Sequence, residues 1–291
     1  MPATGIAAAL ATVVIWAGFL VSLRFAITTQ YSQGAMLLMR FLPAAVVLAP
    51  VIWRTGLLPK GVPLWQVLLI ILGSGVPFYY LISLGISYAH ASDVGVLAPG
   101  SLPLIVALVS FAVLGERFTR LRVIGFALIL TGGLMIGLWE VVMASEAGAW
   151  RGHLLIITAI FGWAFYTVAF RMSGMSALDG AALSIGWSVL LVIPVAMVIG
   201  VSTGDASWAQ IGVITLIQGV LAGAGALVTF GLAVRLLGAS RTAAFTALTP
   251  IVVMVASVAL LGEPITGVKV AGILIVSTGV FFASGVLEAG K

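Results

Sequence analysis

One stretch of this chain occurs twice. It runs from Pro103 to Gly132 and returns from Pro250 to Gly279. In the first copy Pro103 is followed by Leu114-Gly115-Glu116, then Gly125, then Thr131-Gly132. In the second, Pro250 is followed by Leu261-Gly262-Glu263, then Gly272, then Thr278-Gly279. Every pair lies 147 residues apart, and Ser101–Ile136 matches Leu248–Ala283 at 12 of 36 positions. An apolar composition alone would match at roughly three or four. The same offset pairs Trp16-Ala17 with Trp163-Ala164, Val21 with Val168 and Arg24 with Arg171. A constant offset at both ends of the unit is the signature of duplication. The chain therefore divides into a first repeat at 1–143, a linker at 144–151 and a second repeat at 152–291.

What each repeat folds into follows from its polarity. Hydrophobic residues make up 62% of the chain and charged residues 7%. Soluble domains carry about a quarter charged residues, so the long apolar runs describe a polytopic membrane protein in contact with a lipid bilayer. The 35 glycines suit close approach of helices in a membrane. With no cysteine, thiolate metal sites and thiol catalysis are excluded. Two histidines and eight carboxylates leave little material for a catalytic cluster or a metal site. No Gly-Lys-Ser/Thr phosphate loop occurs, which argues against an intrinsic ATPase. No cofactor is expected. The net charge of +5 is scattered over loops, so membrane topology accounts for it better than a nucleic-acid partner does.

The expected fold is all-α, with ten transmembrane helices in two inverted five-helix repeats around a central cavity. The spans fall near 4–26, 34–53, 63–86, 93–114, 121–139, 152–172, 179–201, 208–234, 240–261 and 266–287. Each approaches the ~20 residues that a bilayer requires; the fifth is the shortest, ending near Trp139. The first lacks the positive leader of a signal peptide and has a repeat partner, so it reads as part of the mature fold. Ten spans put the termini on one side with Arg54, Lys60, Arg117, Arg120, Arg122, Arg171, Arg235, Arg241 and Lys291. The other side holds Arg24, Arg151 and Lys269. That bias predicts cytoplasmic termini. An odd number of spans per repeat makes the second enter from the opposite face, the arrangement of many alternating-access carriers. Tryptophans 53, 65, 139, 150 and 208 fall near span ends, as interfacial anchors do.

Two inverted five-helix halves, with Pro103…Leu114-Gly115-Glu116-Arg117 and Pro250…Leu261-Gly262-Glu263-Pro264, resemble the drug/metabolite transporter superfamily. Within it the chain is similar to the bacterial ten-helix branch of amino-acid and metabolite exporters, the aromatic amino acid exporters among them. The resemblance covers the whole chain. It implies a basket-like bundle in a bacterial inner membrane, with a cavity lined by both halves. An arginine in the second helix, here Arg40, is usual in such proteins; the repeat-equivalent position holds Trp187 instead.

Several residues stand out as candidates. Pro103 and Pro250 lie in mid-span, where each removes an amide donor and frees the carbonyl four residues back, at Pro99 and Thr246. Pro99 with Gly100, and Gly73-Ser74-Gly75 before Pro77, add further weak points. Breaks at corresponding depths of two halves point to a transport site, although kinks also serve packing alone. Trp16 and Trp163 lie half-way across equivalent spans and either wall a cavity or fill the core. Phe78, Tyr79, Tyr80, Tyr166 and Trp187 are candidates on the same basis. Together they would suit apolar or aromatic cargo. Arg40, seven residues into its span, either attracts a carboxylate or snorkels to the interface. Ser101, Gln218, Thr249 and Ser257 either bond a substrate or bond a neighbouring helix. Glu116 and Glu263, at span ends, read as caps of the following helices, as does Asp93.

No acid lies in the middle of a span, and residues 4–26 contain none; the lipophilic-cation exporters of the superfamily it resembles carry a buried glutamate in the first helix, so this argues against such cations as the main cargo. The expected function is export of small metabolites, chiefly neutral or aromatic amino acids, by a monomer. Uncharged drugs, purines, vitamins and nucleotide-linked sugars remain alternative cargoes. An intramembrane enzyme would need a Ser-His or His-carboxylate set, and His90 and His153 both fall at loops.

Overall fold

The computed structural model describes residues 2–28, 31–88, 91–143, 149–246, 248–261 and 266–283. Among these residues the secondary structure is entirely helical. The first half comprises α1 (Ala3–Thr28), α2 (Gln33–Thr55), α3 (Leu64–Ser74), α4 (Val76–Tyr88), α5 (Ala91–Leu114) and α6 (Arg120–Met143). The second comprises α7 (Ala149–Ser173), α8 (Ala177–Ile199), α9 (Trp208–Thr215), a π-helical stretch (Leu216–Gly225), α10 (Ala226–Leu237), α11 (Ala239–Thr246), α12 (Thr249–Leu261) and α13 (Gly267–Ala283). Seven helical segments are long and apolar enough to cross a membrane, and Ser101–Leu114 and Val270–Ala283 are shorter apolar helices. The helix that carries the expected fifth span, α6, runs on to Met143. Likewise α7 begins at Ala149, so the end of the expected linker is helical.

Local chemistry sets the helix ends. Ser32 caps α2 by accepting from the Ala35 amide at 3.2 Å, and Ser176 caps α8 by accepting from that of Asp179 at 3.1 Å. Ser207 and Gln210 form a reciprocal capping box at the start of α9. The Leu114-Gly115-Glu116 motif is a helix stop. Gly115 takes a φ of +64°, its amide donates to the Phe111 carbonyl at 3.1 Å, and the Glu116 amide donates to that of Ser110 at 3.4 Å. That left-handed turn suits glycine, and it sends Glu116 off the helix end. Trp53, Trp65, Trp150 and Trp208 lie exposed near helix ends. The Trp139 side chain lies outside the described residues, as do the side chains of Asp93, Pro99 and Ser257 and the residues His90 and Glu263.

The expected breaks are observed in part. α5 is continuous through Pro99 and Pro103. The first half is interrupted at the Gly73-Ser74-Gly75 stretch, and the second half carries an irregularity in the span before the one that holds Pro250. Gly75 separates α3 from α4, and a Cβ there would meet the Ile71 carbonyl oxygen at 2.5 Å and Ser188 Oγ at 2.6 Å. Pro77 sits in the first turn of α4, where its missing amide costs little. The position 147 residues after Gly75 is Ala222, inside the π-helical stretch. The two repeats thus carry an irregularity at the same depth, a break in one and an i→i+5 widening in the other. Between α11 and α12 the chain is interrupted ahead of Pro250. The Thr246 carbonyl, expected to lose its partner, accepts from the Thr249 hydroxyl at 2.6 Å. A side chain three residues on thus replaces the missing amide donor.

Helices from the two halves pack closely at glycines. A Cβ on Gly132 would lie 2.7 Å from the Gly272 carbonyl oxygen, and one on Gly125 would lie 2.7 Å from that of Gly279. α6 and α13 therefore run antiparallel, and each of these four glycines packs against the other pair's repeat partner. α2 packs on α8, α1 on α10 and α12, and α7 on α3, α4 and α5. The Thr12 and Thr229 hydroxyls join α1 to α10 at 2.8 Å. Asp179 accepts from Arg54 at 2.5 Å and from Thr55 at 3.0 Å, joining α8 to α2. The Arg54 side chain is 67% exposed, so this pair contributes little. Asp179→Ala is expected to lower stability by less than about 1 kcal/mol, read as a melting shift of a few degrees in detergent.

Candidate functional site

A narrow cavity of about 50 Å³ lies where the two halves meet. α1 contributes Trp16, Phe19 and Leu20, and α2 contributes Arg40. Phe78 and Ile82 come from α4, and Ala98 and Leu102 from α5. The second half supplies Ile160 and Trp163 from α7 and Thr249 from α12. Along every one of these helices the lining residues lie near the middle or towards the same end of the bundle. That end carries the α1–α2, α4–α5 and α8–α9 connections.

The cavity floor is aromatic. Trp16 and Trp163, repeat partners in sequence, meet edge to face with ring centroids 5.1 Å apart. Trp163 also touches Phe78 at 4.7 Å, Tyr166 at 5.0 Å and Phe230 at 5.3 Å. Phe230 stacks on Trp16 at 5.5 Å. Such pairs add to packing beyond their area. Further along α7, at the opposite end, the Glu116 carboxylate accepts from Arg171 and, at 2.7 Å, from the Ser240 hydroxyl. Glu116 thus ties α5 of the first half to α7 and α11 of the second. It does not cap α6, because the Thr119 hydroxyl takes that position and accepts from the Arg122 amide.

One wall carries the buried charge. Arg40 is 4% exposed. Its Nη2 donates to the Ala222 carbonyl in the π-helical stretch at a long 3.4 Å. The guanidinium lies over the rings of Phe19 at 4.8 Å and Tyr79 at 4.9 Å. Gly219 and Gly223 bring the π-helical stretch against the backbone of α2 at Met39 and Arg40, where a side chain would collide. The widened helix thereby presents a carbonyl to the arginine. Arg40 is not snorkelling along lipid, since its side chain is enclosed by protein.

The candidate residues therefore separate. Trp16, Trp163, Arg40 and Thr249 line the cavity with Phe78. Tyr79 and Gln218 lie behind the wall, fully buried. The Tyr79 hydroxyl donates to Gln218 Oε1 at 3.4 Å, and Gln218 Nε2 donates to Ser22 Oγ at 2.9 Å and the Phe19 carbonyl at 3.1 Å. They brace α1, α4 and the π-helical stretch. Tyr166 lies beneath the floor among Trp163, Phe170 and Phe230. Trp187 is elsewhere: its indole N–H donates to the Leu57 carbonyl at 2.8 Å, at the α2–α3 connection. Ser101, Pro77, Pro103 and Pro250 do not line the cavity. Phe19 and Phe230 are missing from the sequence candidates. Phe19 had a signal, since it is the repeat counterpart of Tyr166. Phe230 had none, because its counterpart is Ser83.

A bundle with seven helical segments long and apolar enough to cross a membrane, around an aromatic cavity with one charge among its described lining residues, suits a membrane transporter. The chain belongs to the EamA-like transporter family, whose model matches twice, at residues 3–138 and 150–285. It is 29% identical over 277 residues to the uncharacterized transporter YyaM of Bacillus subtilis (strain 168), covering 90% of this chain and 87% of the relative. Over 260 residues it is 27% identical to the uncharacterized transporter YetK of the same organism, covering 84% and 76%. A solved crystal structure superposes over the full length of both chains with a TM-score of 0.78 at 15% identity, a likeness of fold. The chain is thus a multi-pass membrane transporter of small molecules.

Proposed function

We propose that this transporter exports small metabolites with an apolar or aromatic body, neutral and aromatic amino acids foremost, by alternating access of two inverted five-helix halves. The observation that carries this reading is the one-sided cavity whose floor is the contact between Trp16 and Trp163. Repeat-equivalent residues meeting at a shared cavity suit a two-fold relation in the membrane plane. The antiparallel glycine contacts of α6 with α13 favour the same relation, as does a family match that recurs at an offset of 147 residues, 3 to 150 and 138 to 285.

The ten-span reading groups α3 with α4, α9 with α10, and α11 with α12. Loop charge then assigns the Glu116 end, with both termini, to the cytoplasm of an inner membrane. This makes the present conformation outward-facing. Rocking of one half against the other would part Glu116 from Arg171 and Ser240, unstack the aromatic floor, and open the cavity inward. The walls also suit an uncharged drug, since Arg40 is the one charge among the described lining residues.

The absence of cysteine makes the conformational half of this reading directly testable. A single cysteine at Leu20 is expected to react with a membrane-impermeant maleimide added to intact cells, and saturating cargo is expected to slow it. One at Lys60 is expected to react only after permeabilisation. Labelling of both from the same side would overturn the topology. In proteoliposomes preloaded with unlabelled amino acid, saturable counterflow of labelled phenylalanine is expected; its absence for every amino acid tested would remove that cargo.

A further inference from the structure

Two hydrogen-bond donors in the cavity wall have no partner. Arg40 Nη1 and Trp163 Nε1 are both inaccessible and neither donates to any acceptor. The residues are 4% and 2% exposed, they come from opposite halves of the chain, and both line the same cavity. A buried donor left unpaired is rare and destabilising, and a buried guanidinium without a counter-charge is more so. No carboxylate forms an ion pair with Arg40 among the described residues. Its neighbours are aromatic faces and one distant carbonyl.

The remaining lining groups sharpen the chemistry. The side-chain acceptor among the described lining residues is the hydroxyl of Thr249, whose own proton goes to the Thr246 carbonyl. The cavity thus offers a guanidinium and an indole N–H to an anion, but no carboxylate to an ammonium. The Phe19 ring, which lines the cavity, already lies against the guanidinium. In a medium of low dielectric the total charge decides the ranking. A monoanion brings the site to neutrality. A zwitterion leaves one positive charge, and an amine makes it two.

We propose that Arg40 Nη1 and Trp163 Nε1 form a carboxylate subsite, and that the preferred cargo is an organic monoanion: a carboxylate on a flat or branched apolar body, without an amino group. The inference rests on the transporter reading above, and among its apolar-bodied metabolites it puts the amino-free carboxylate ahead of the amino acids named there. The carboxylate accepts from the guanidinium, whose planar donors suit it, and from the indole, while the apolar body lies against Trp16, Phe78 and Ile82. One half supplies the charge and the other supplies the indole, so cargo binding bridges the two repeats.

The test uses four probes of one shape: 3-phenylpropionate, phenylalanine, phenethylamine and 3-phenylpropanamide. Binding to the purified full-length protein is followed by tryptophan fluorescence, and exchange by counterflow in proteoliposomes. The propionate is expected to bind about tenfold more tightly than the amide, the loss typical of a charge-assisted hydrogen bond, with phenylalanine between them and the amine weakest. Arg40→Gln is expected to abolish that preference. Because this change also removes a packing group, Trp163→Phe serves as a milder variant: it keeps an aromatic ring and removes the N–H. It is expected to weaken the propionate about tenfold while changing the amide less than twofold. Equal binding of propionate and amide, equal binding of propionate and phenylalanine, or a Trp163→Phe protein with unchanged preference would overturn the proposal. So would displacement of the propionate by inorganic phosphate at equal concentration. Propionate binding without counterflow would uphold the subsite while removing the propionate as cargo of the transport reading.

Discussion

Leucine at Gly73 is expected to destabilise the bundle by about 3 kcal/mol or more and to abolish transport. A Cβ at this position would collide with the carbonyl oxygen of Gly162 and lie 2.7 Å from Tyr166 Cβ. Both obstacles belong to α7 and one is backbone, so no rotamer change relieves the overlap. The helices must part, and in a close-packed interior that separation forfeits contacts all along the seam. Gly162 immediately precedes Trp163, so the displaced segment is the one that carries the centre of the aromatic floor. Stability in detergent and counterflow are expected to fall together. A matched change at Gly212, where an added Cβ meets nothing within 4 Å, is expected to leave both near the parent level. A Gly73→Leu protein that melts with the parent would mean that α3 and α7 are not in contact.

The second large effect is conformational. Glu116→Lys removes the acid that Arg171 and Ser240 share and adds a cation beside Arg122, Arg171 and Arg241, which surround the same recess. Glu116 and Arg171 are 21% and 38% exposed as side chains, so solvent screens the pair and the ion pair alone contributes about 1 kcal/mol or less. Repulsion of similar size adds to its loss. Under the alternating-access proposal the Glu116 end is then destabilised by about 1–2 kcal/mol, a five- to thirty-fold shift between the two proposed conformations. A reporter cysteine at Val168, buried on α7 between the floor and Arg171, is expected to react correspondingly faster. The double reversal with Arg171→Glu is expected to restore most of the slow reaction. Equal reactivity in all three proteins would show that this contact does not hold the end closed.

Much of this organisation was legible in order along the chain. Composition alone made the protein a membrane protein, because so few charges cannot clothe a soluble surface. The 147-residue offset paired Trp16 with Trp163 before any contact was known, since duplicated units place equivalent residues at equivalent depths. Arg40 stood out because a charge within a span demands an explanation. Other assignments failed for identifiable reasons. Trp187 has the right depth and the wrong face, and its N–H meets the Leu57 carbonyl because of where α8 lies against the α2–α3 connection. Proline marked Pro103 as a break, yet α5 passes through it; Gly75 and the stretch before Pro250 were marked and lie at interruptions, while no residue type announces the π-helical stretch. Glu116 looked like a cap because it follows a helix stop, and its partners come from residues 55 and 124 positions away.

The sequence by itself determined the class of protein, the duplication, and the short list of groups too polar or too large to lie idle in a bilayer. These follow from local periodicity and composition, which are properties of segments. Only the tertiary structure decided which of those groups share a cavity. It set Tyr79 and Gln218 behind the wall, brought Phe230 onto the floor, and left the Arg40 and Trp163 donors without acceptors. Whether a donor is satisfied depends on what a helix a hundred residues away presents to it, and that is fixed by packing.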